Sequence, residues 1–444
     1  MMARQKPPAE RKSIGFWLES HRGAQWNKQG MTRLIGFLVE GAAISRDVIF
    51  HIVLTNEIYK EASEDLATLN AELGVDYCVH APKSVGSDED DFVSLAKFAN
   101  KHVQVDAWIS LFPFYENLHL LGAPVATIFP DAIPLVYQDF NPACWTENGY
   151  HVQWRANVDK QLRSIRNIIT FSNHVAQNHV RALFDVSAQG FHVIPHAPPT
   201  LEGILPFVKG KERTALSRRR AADLLRRHCA ERGWDYLVDF PFEEVPYVAV
   251  STQDRVTKNL RIVADAIERI GRRDRRGFKM LMTAPLLAGT RWTPLPETIE
   301  NSQSNRDIVS MPDLPRDVHA AFYHCAELAI HPSIFEGGLG VFPFYEAVSV
   351  GTPCIMASGP HASEFVDQCP DYAPYTFDAN DAEALVRLIK KVSDTREAVM
   401  VRQGEIFDRL RRRTWGEVAS QYAWAATQPI KARDRSTVAS VDVK

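Results

Sequence analysis

The chain has 444 residues, 51 Lys and Arg against 54 Asp and Glu, a formal net charge of −3, and a composition that is 45% hydrophobic and 24% charged. At about 150 residues per domain this makes two or three domains with cores of their own and excludes a largely disordered chain. The near-neutral charge balance gives no reason to expect nucleic acid as a partner. No stretch reaches the ~20 apolar residues that span a bilayer; Leu111 to Tyr137 comes nearest, yet it contains Glu116, His119 and Asp131. The apolar run Ile14 to Leu18 after a basic N-terminus is too short for the core of a signal peptide. The six cysteines (Cys78, Cys144, Cys229, Cys325, Cys354, Cys369) include no CxxC pair. Their spacing supports neither a zinc site nor a disulfide scaffold, and reduced thiols in a cytoplasmic protein are the simplest reading.

In chain order, short β-branched or aromatic runs alternate with stretches of helical periodicity. Ile14–Leu18, Val48–Leu54, Ala107–Leu111, Val125–Ile128, Ile168–Phe171 and Phe191–Ile194 read as buried strands. Tyr247–Val250, Lys279–Met282, Asp307–Ser310, Leu328–His331 and Pro353–Met356 repeat the scheme in the second half. Met31–Ala42, Asn259–Ile270, Val318–Cys325 and Ala382–Val392 read as helices between them. Such alternation predicts α/β architecture, with parallel sheets covered on both faces. Eleven strands exceed one comfortable sheet, so two doubly wound, Rossmann-like domains facing across a cleft are expected. Pro195, Pro198, Pro199 and Pro206 place the boundary before Glu244. We divide the chain into 1–205, 206–414 and a loose polar tail at 431–444.

Two charged stretches need their plain reading beside the functional one. Lys209 to Gly233 carries seven arginines and three leucines, Leu216, Leu224 and Leu225. It reads first as a solvated surface helix and second as a contact for an anionic membrane surface. The run Asp88-Glu89-Asp90-Asp91 follows no apolar strand. It reads as a solvated loop, not as a metal-binding pair of aspartates.

The chemistry concentrates in Pro332 to Glu346, PSIFEGGLGVFPFYE, between a predicted strand and a predicted helix. Gly337, Gly338 and Gly340, with Leu339 among them, let backbone N–H groups approach a ligand closely, and the following helix N-terminus favours an anion. Carboxylates at both ends, Glu336 and Glu346, suit a sugar nucleotide, one facing sugar hydroxyls and the other the ribose diol. The structural alternative is a tight turn with a capping glutamate.

This segment, with Ala347 and Gly351-Thr352-Pro353-Cys354-Ile355, resembles the E-G-F-G-L-P-x-x-E-A-x-x-x-G-x-P-V-I signature of retaining glycosyltransferases of the two-domain GT-B fold. That large family (family 4-like) includes bacterial mannosyltransferases. The resemblance implies that Glu336 faces the donor sugar and Glu346 holds the ribose. Nine residues separate the two glutamates here, two more than in the pattern, and the extra ones fall near Gly338 and Phe342. Val248 to Asn259 resembles the family's strand and basic loop, in which Lys258, with Arg255 substituting for an arginine missing at Gln253, neutralises the leaving diphosphate. Fixed cations there stabilise charge that develops on the β-phosphate.

Thr127-Ile-Phe-Pro-Asp131-Ala-Ile-Pro-Leu is similar to the family's T-I-H-D-L-I-P-L segment, with Phe129-Pro130 in place of the His. Ile169-Thr-Phe-Ser172-Asn-His and Val193-Ile-Pro-His196 are similar to two further segments. Ser172 is read as a phosphate or acceptor ligand or as a helix N-cap, and His196 as a loop residue. Asn27 to Arg33, with Gly30, stands where relatives carry a glycine loop aimed at the donor diphosphate. Trp415 matches the start of a C-terminal helix, about 415–430, that crosses back to the first domain.

The resemblance implies a retaining, metal-independent hexosyltransferase with no cofactor beyond its nucleotide-diphosphate sugar. The I-P-L and E-G-G-x-G segments favour GDP-mannose over UDP-sugars. The acceptor would be a saccharide or lipid-linked saccharide of a surface polysaccharide, with peripheral contact at the inner face of a membrane. The rival readings are a catalytically impaired relative that binds or scaffolds, and a sugar-nucleotide epimerase or phosphorylase on the same architecture.

Overall fold

The computed structural model describes residues 11–19, 26, 30–74, 77–82, 89–138, 149–165, 167–184, 186, 190–274, 277–286, 295–302, 306–338 and 341–429. Among them, seven strands form a first parallel sheet: β1 Lys12–Trp17, β2 Val48–Val53, β3 Tyr77–His80, β4 Ala107–Ser110, β5 Val125–Ile128, β6 Asn167–Thr170 and β7 Phe191–Val193, ordered β3-β2-β1-β4-β5-β6-β7. Six more form a second: β8 Tyr247–Val250, β9 Lys279–Met282, β10 Ile308–Ser310, β11 Leu328–His331, β12 Cys354–Ala357 and β13 Thr376–Phe377, ordered β10-β9-β8-β11-β12-β13. Every pairing is parallel. Both sheets therefore reverse their winding beside their first strand, between β1 and β4 and between β8 and β11. Ligands of open α/β sheets bind outside the carboxyl ends of strands at such a reversal.

Continuous apolar strands explain the double-sided burial: all four residues of β4, β6, β8, β11 and β12 are buried. The sequence reading missed β3 and β13. β3 is an edge strand whose four residues are all half-exposed, and β13 is only two residues long. The acid run read as a loop is also corrected. The helix Glu89–His102 begins inside it; Asp88 lies outside the described residues.

The helix Gly30–Ser45 packs against the C-terminal helix Trp415–Ala426, and both contribute to the core of the first sheet. Phe37 stacks on Trp415 with ring centroids 4.5 Å apart. The basic segment forms the helix Ala215–Glu231, started by a reciprocal Thr214–Ser217 capping box. It is not solvated all round. Ala221, Ala222, Leu225 and Cys229 are fully buried in a core of the second sheet, whereas Leu216 stays 60% exposed. Arg213 donates to the carbonyls of His324 (3.0 Å) and Cys325 (2.8 Å), the last carbonyls of the helix Arg316–Cys325.

The helix contact carries a stability prediction. A Cβ on Gly41 would lie 2.1 Å from the Trp415 carbonyl oxygen, so only glycine lets the two backbones meet. Gly41→Ala should cost about 1–3 kcal/mol in urea unfolding, the usual cost of overpacking. Gly271→Ala, where a Cβ meets open space within the helix Leu260–Asp274, should gain about 0.5–1 kcal/mol. Equal midpoints for the two variants would refute the close-approach argument.

Candidate functional site

The loop after β8 and the loop after β11 leave neighbouring strands at the point of reversal, and this brings Lys258 and Glu336 together. Lys258 ends a short 3-10 turn, Val256–Lys258, and its Nζ lies 2.5 Å from Glu336 Oε1. The two loops are also tied by Ile334 N–H donating to the Thr257 carbonyl at 2.9 Å. Both side chains are largely withdrawn from solvent, 19% and 16% exposed. Burial pushes the Glu336 pKa up, but the charges of Lys258, His331 and His361 and the Lys258 hydrogen bond outweigh it and carry the value down to about 2. Glu336 is therefore a carboxylate at any ordinary pH.

Two buried imidazoles flank this pair, and the sequence reading named neither. His331 Nε2 is 3.5 Å from Glu336 Oε1, and the His331 and His361 rings stand edge to face at 5.5 Å. Burial lowers His331 to about 4 and His361 to about 3, so both are neutral near pH 7. Neither ring has a hydrogen-bond partner at either nitrogen, nor does the fully buried hydroxyl of Ser333. Unpaired buried polar atoms are costly, and these two imidazoles with the Ser333 hydroxyl of the loop after β11 leave five of them in one segment of the fold.

The first lobe closes over this point. Gly337 lies so near the turn after β5 that a Cβ on it would sit 2.0 Å from the Pro130 carbonyl oxygen and 3.5 Å from the Asp131 Cβ. Asp131 accepts from Ile133 N–H at 3.0 Å. Its pKa is raised by burial, against the Ile133 hydrogen bond and the charges of Arg255 and Lys258. Arg255 itself is exposed. Ser172 does two things: its Oγ accepts from Val175 N–H (3.2 Å) as an N-cap and donates to the Gly337 carbonyl (2.9 Å) across the lobes. Glu364 of the second lobe accepts from the backbone of Asn173 (3.2 Å) and His174 in the same turn. Phe335 is buried in a cluster with Phe129, Trp154 and Phe184, and it stacks on His179 at 5.0 Å.

Glu346, on the helix Phe342–Ser349, is ion-paired with Arg33 of the first helix, with 2% and 48% of the side chains exposed. Arg33 also lies over the rings of Phe37 (5.3 Å) and Phe342 (5.8 Å). Phe342, assigned to a lengthened loop in the sequence reading, is the first residue of this helix and packs on Phe37 and His196. Gly30 opens the first helix one turn before Arg33, with open space where its Cβ would be. Gly338 is buried, and Leu339, Gly340 and residues 27–29 lie outside the described residues. His196 is half-buried, packed against Phe171 and Trp415, and desolvation, then Arg413, lowers its pKa to about 3; it has a packing role.

Comparison with known proteins bears on the fold. No protein-family model matches the chain, and no curated protein sequence does. Solved structures do. Sucrose-phosphate synthase from Thermosynechococcus elongatus superposes with a TM-score of 0.66 at 14% identity, over 93% of this chain and 98% of that one. Anabaena HepE in complex with UDP-glucose gives 0.61 at 13% identity, over 93% and 99%. A glycosyltransferase from Rickettsia africae gives 0.55 at 13% identity, over 94% and 96%. The fold is that of the GT-B glycosyltransferases, with two parallel α/β sheets.

Two outcomes test this geometry. Removing one member of a buried pair leaves an uncompensated charge. Arg33→Met should therefore cost about 1–3 kcal/mol, less than a fully buried pair would because Arg33 keeps half its surface in water. Arg33→Met/Glu346→Gln should recover most of that loss, and a strictly additive double variant would deny the coupling. For Glu336, the folded pKa lies below the ordinary value of 4.5. Its contribution is present in full above that value and is lost as pH falls from about 4.5 towards 2. Glu336→Gln should flatten the acid limb of a stability–pH curve over that window, and an unchanged slope would show that the carboxylate is not charge-stabilised.

Proposed function

We propose that this chain is a retaining glycosyltransferase that moves a sugar from a nucleotide-diphosphate donor to a saccharide or lipid-linked acceptor. What carries the reading is the meeting of Lys258, Glu336 and Gly337 with Asp131 and Ser172, from four loops and both lobes, at a sheet reversal. The motif resemblance and the fold of the solved neighbours point the same way.

In this reading the donor diphosphate lies along the loop after β8. Lys258 takes up the charge that grows on the leaving phosphate, and Arg255, exposed at the same loop, is the second cation. Glu336, held ionised, faces the donor sugar and favours positive charge developing at its anomeric carbon. Glu346 binds the ribose hydroxyls once Arg33 releases it. Attack comes from the face the phosphate leaves, and the departing phosphate oxygen accepts the acceptor proton, so the scheme needs no catalytic metal and no separate base. Asp131, with its raised pKa, stands at the acceptor side. The motifs favour GDP-mannose, whereas the HepE neighbour was solved with UDP-glucose. The exposed arginines 219, 220, 227 and 232 suit a lipid-linked acceptor at an anionic membrane.

Donor hydrolysis and thermal protection should be measured across GDP-mannose and UDP-sugars, with and without saccharide acceptors. One nucleotide sugar should protect and turn over; no response to any of them would end the proposal, and binding without transfer would assign the chain to a scaffolding relative. Lys258→Met should lower kcat about 10²–10³-fold, the range for losing one charge-stabilising group. Glu346→Ala should raise the donor KM with less effect on kcat.

A further inference from the structure

The far edge of the first sheet carries a cluster that the sequence spacing concealed. Cys78 and His80 lie two apart on β3 and therefore on one face. The parallel register sets His51 of β2 beside Cys78, and side chains in register on neighbouring strands share a face. The ligand atoms of His51, Cys78 and His80 all lie within 4.8 Å of one another, and the three side chains are half-exposed. His51 Nδ1 and His80 Nε2 are 3.2 Å apart. Two nitrogens bound to one tetrahedral zinc at 2.0–2.1 Å would be separated by about 3.3 Å.

We propose that His51, Cys78 and His80 form a zinc site that clasps the edge strand β3 to β2. Two imidazoles and one thiolate suit Zn²⁺, with water in the solvent-facing fourth position. Binding releases the Cys78 thiol proton to solvent, and no electron moves. In the sheet order β3 stands four strands from β5, about 19 Å at the usual spacing. The metal is therefore set apart from the loop that carries Asp131, and its work is structural. β3 is the edge of the sheet with four half-exposed side chains, so little apolar burial holds it to β2 and a metal bridge adds a tie there.

The test uses the full chain, reduced and dialysed against chelator, titrated with Co²⁺ as a spectroscopic stand-in for Zn²⁺. One Co²⁺ per chain should bind with the visible bands of tetrahedral cobalt and a near-ultraviolet thiolate-to-cobalt band, and one Zn²⁺ should displace it. Cys78→Ser should abolish the thiolate band. His51→Asn and His80→Asn should each weaken binding more than about tenfold, since losing even an outer-shell partner costs that much. Zn²⁺ should raise the urea midpoint of the parent and not of the variants. Binding without a thiolate band would mean adventitious metal on surface histidines only, and would overturn the proposal. A band that survives Cys78→Ser, or that disappears in Cys144→Ser, would overturn it as well. If Cys78→Ser does not fold, as read by circular dichroism, the two histidine variants decide the matter.

Discussion

The ion pair between Lys258 and Glu336 is the constraint around which the interlobe region is arranged. Two opposite charges leave water together at the ends of adjacent strands, 2.5 Å apart. Neither is affordable alone, because an uncompensated buried charge costs several kcal/mol. The pair fixes the loops after β8 and β11 relative to each other and keeps the Gly337 backbone at the height where Pro130 meets it. Pairing leaves the chamber polar but unfinished. His331, His361 and Ser333 hold five atoms with hydrogen-bonding capacity and no partner. A protein whose only need was stability would do better with apolar packing there.

The two lobes are held by contacts of different kinds. Phe335, with Ile334 beside it, supplies apolar burial in a cluster of the first lobe. Glu364 caps the Asn173–His174 turn across the junction, Ser172 donates to the Gly337 carbonyl, and Arg413 donates to the Pro195 carbonyl at 2.9 Å. Gly337 supplies close approach. Each uses a group that its own lobe leaves unpaired: a helix start, a free carbonyl, a ring on a loop. The junction thus combines polar caps with apolar packing of Phe335 and Phe342.

Legibility in the sequence followed burial. The limits of β8, β9 and β11 were read to the residue, because a run with apolar side chains on both faces has sharp ends. β3 escaped because it is four residues long and half-exposed throughout, with His80 breaking the apolar run. In the site, Lys258, Glu336, Gly337, Asp131 and Ser172 were marked by local motifs, and the fold assembles them. Arg33 was invisible as a partner because 313 positions separate it from Glu346. His331 and His361 lacked a signal of their own, since a histidine ending an apolar strand or starting a helix is ordinary. The two residues by which the Glu336–Glu346 interval exceeds the pattern have a partial account: Phe342 begins the helix and fills space between Phe37 and His196.

The Arg33–Glu346 pair sets a condition on any account of donor binding. Glu346 is almost wholly buried and Arg33 half-exposed, so when the pair separates the arginine can be rehydrated but the glutamate cannot. A ligand that takes Glu346 must therefore bring hydrogen-bond donors of its own, as a vicinal diol does, and leave the arginine free over Phe37 and Phe342. That arginine sits one turn inside the first helix, whose N-terminus at Gly30 already favours anions. Releasing it adds a mobile cation to the side of the cleft where a diphosphate would gain from one. Under the proposed donor role of Glu346, the same exchange would remove an ionic tie between the lobes and link donor occupancy to lobe separation through one side chain.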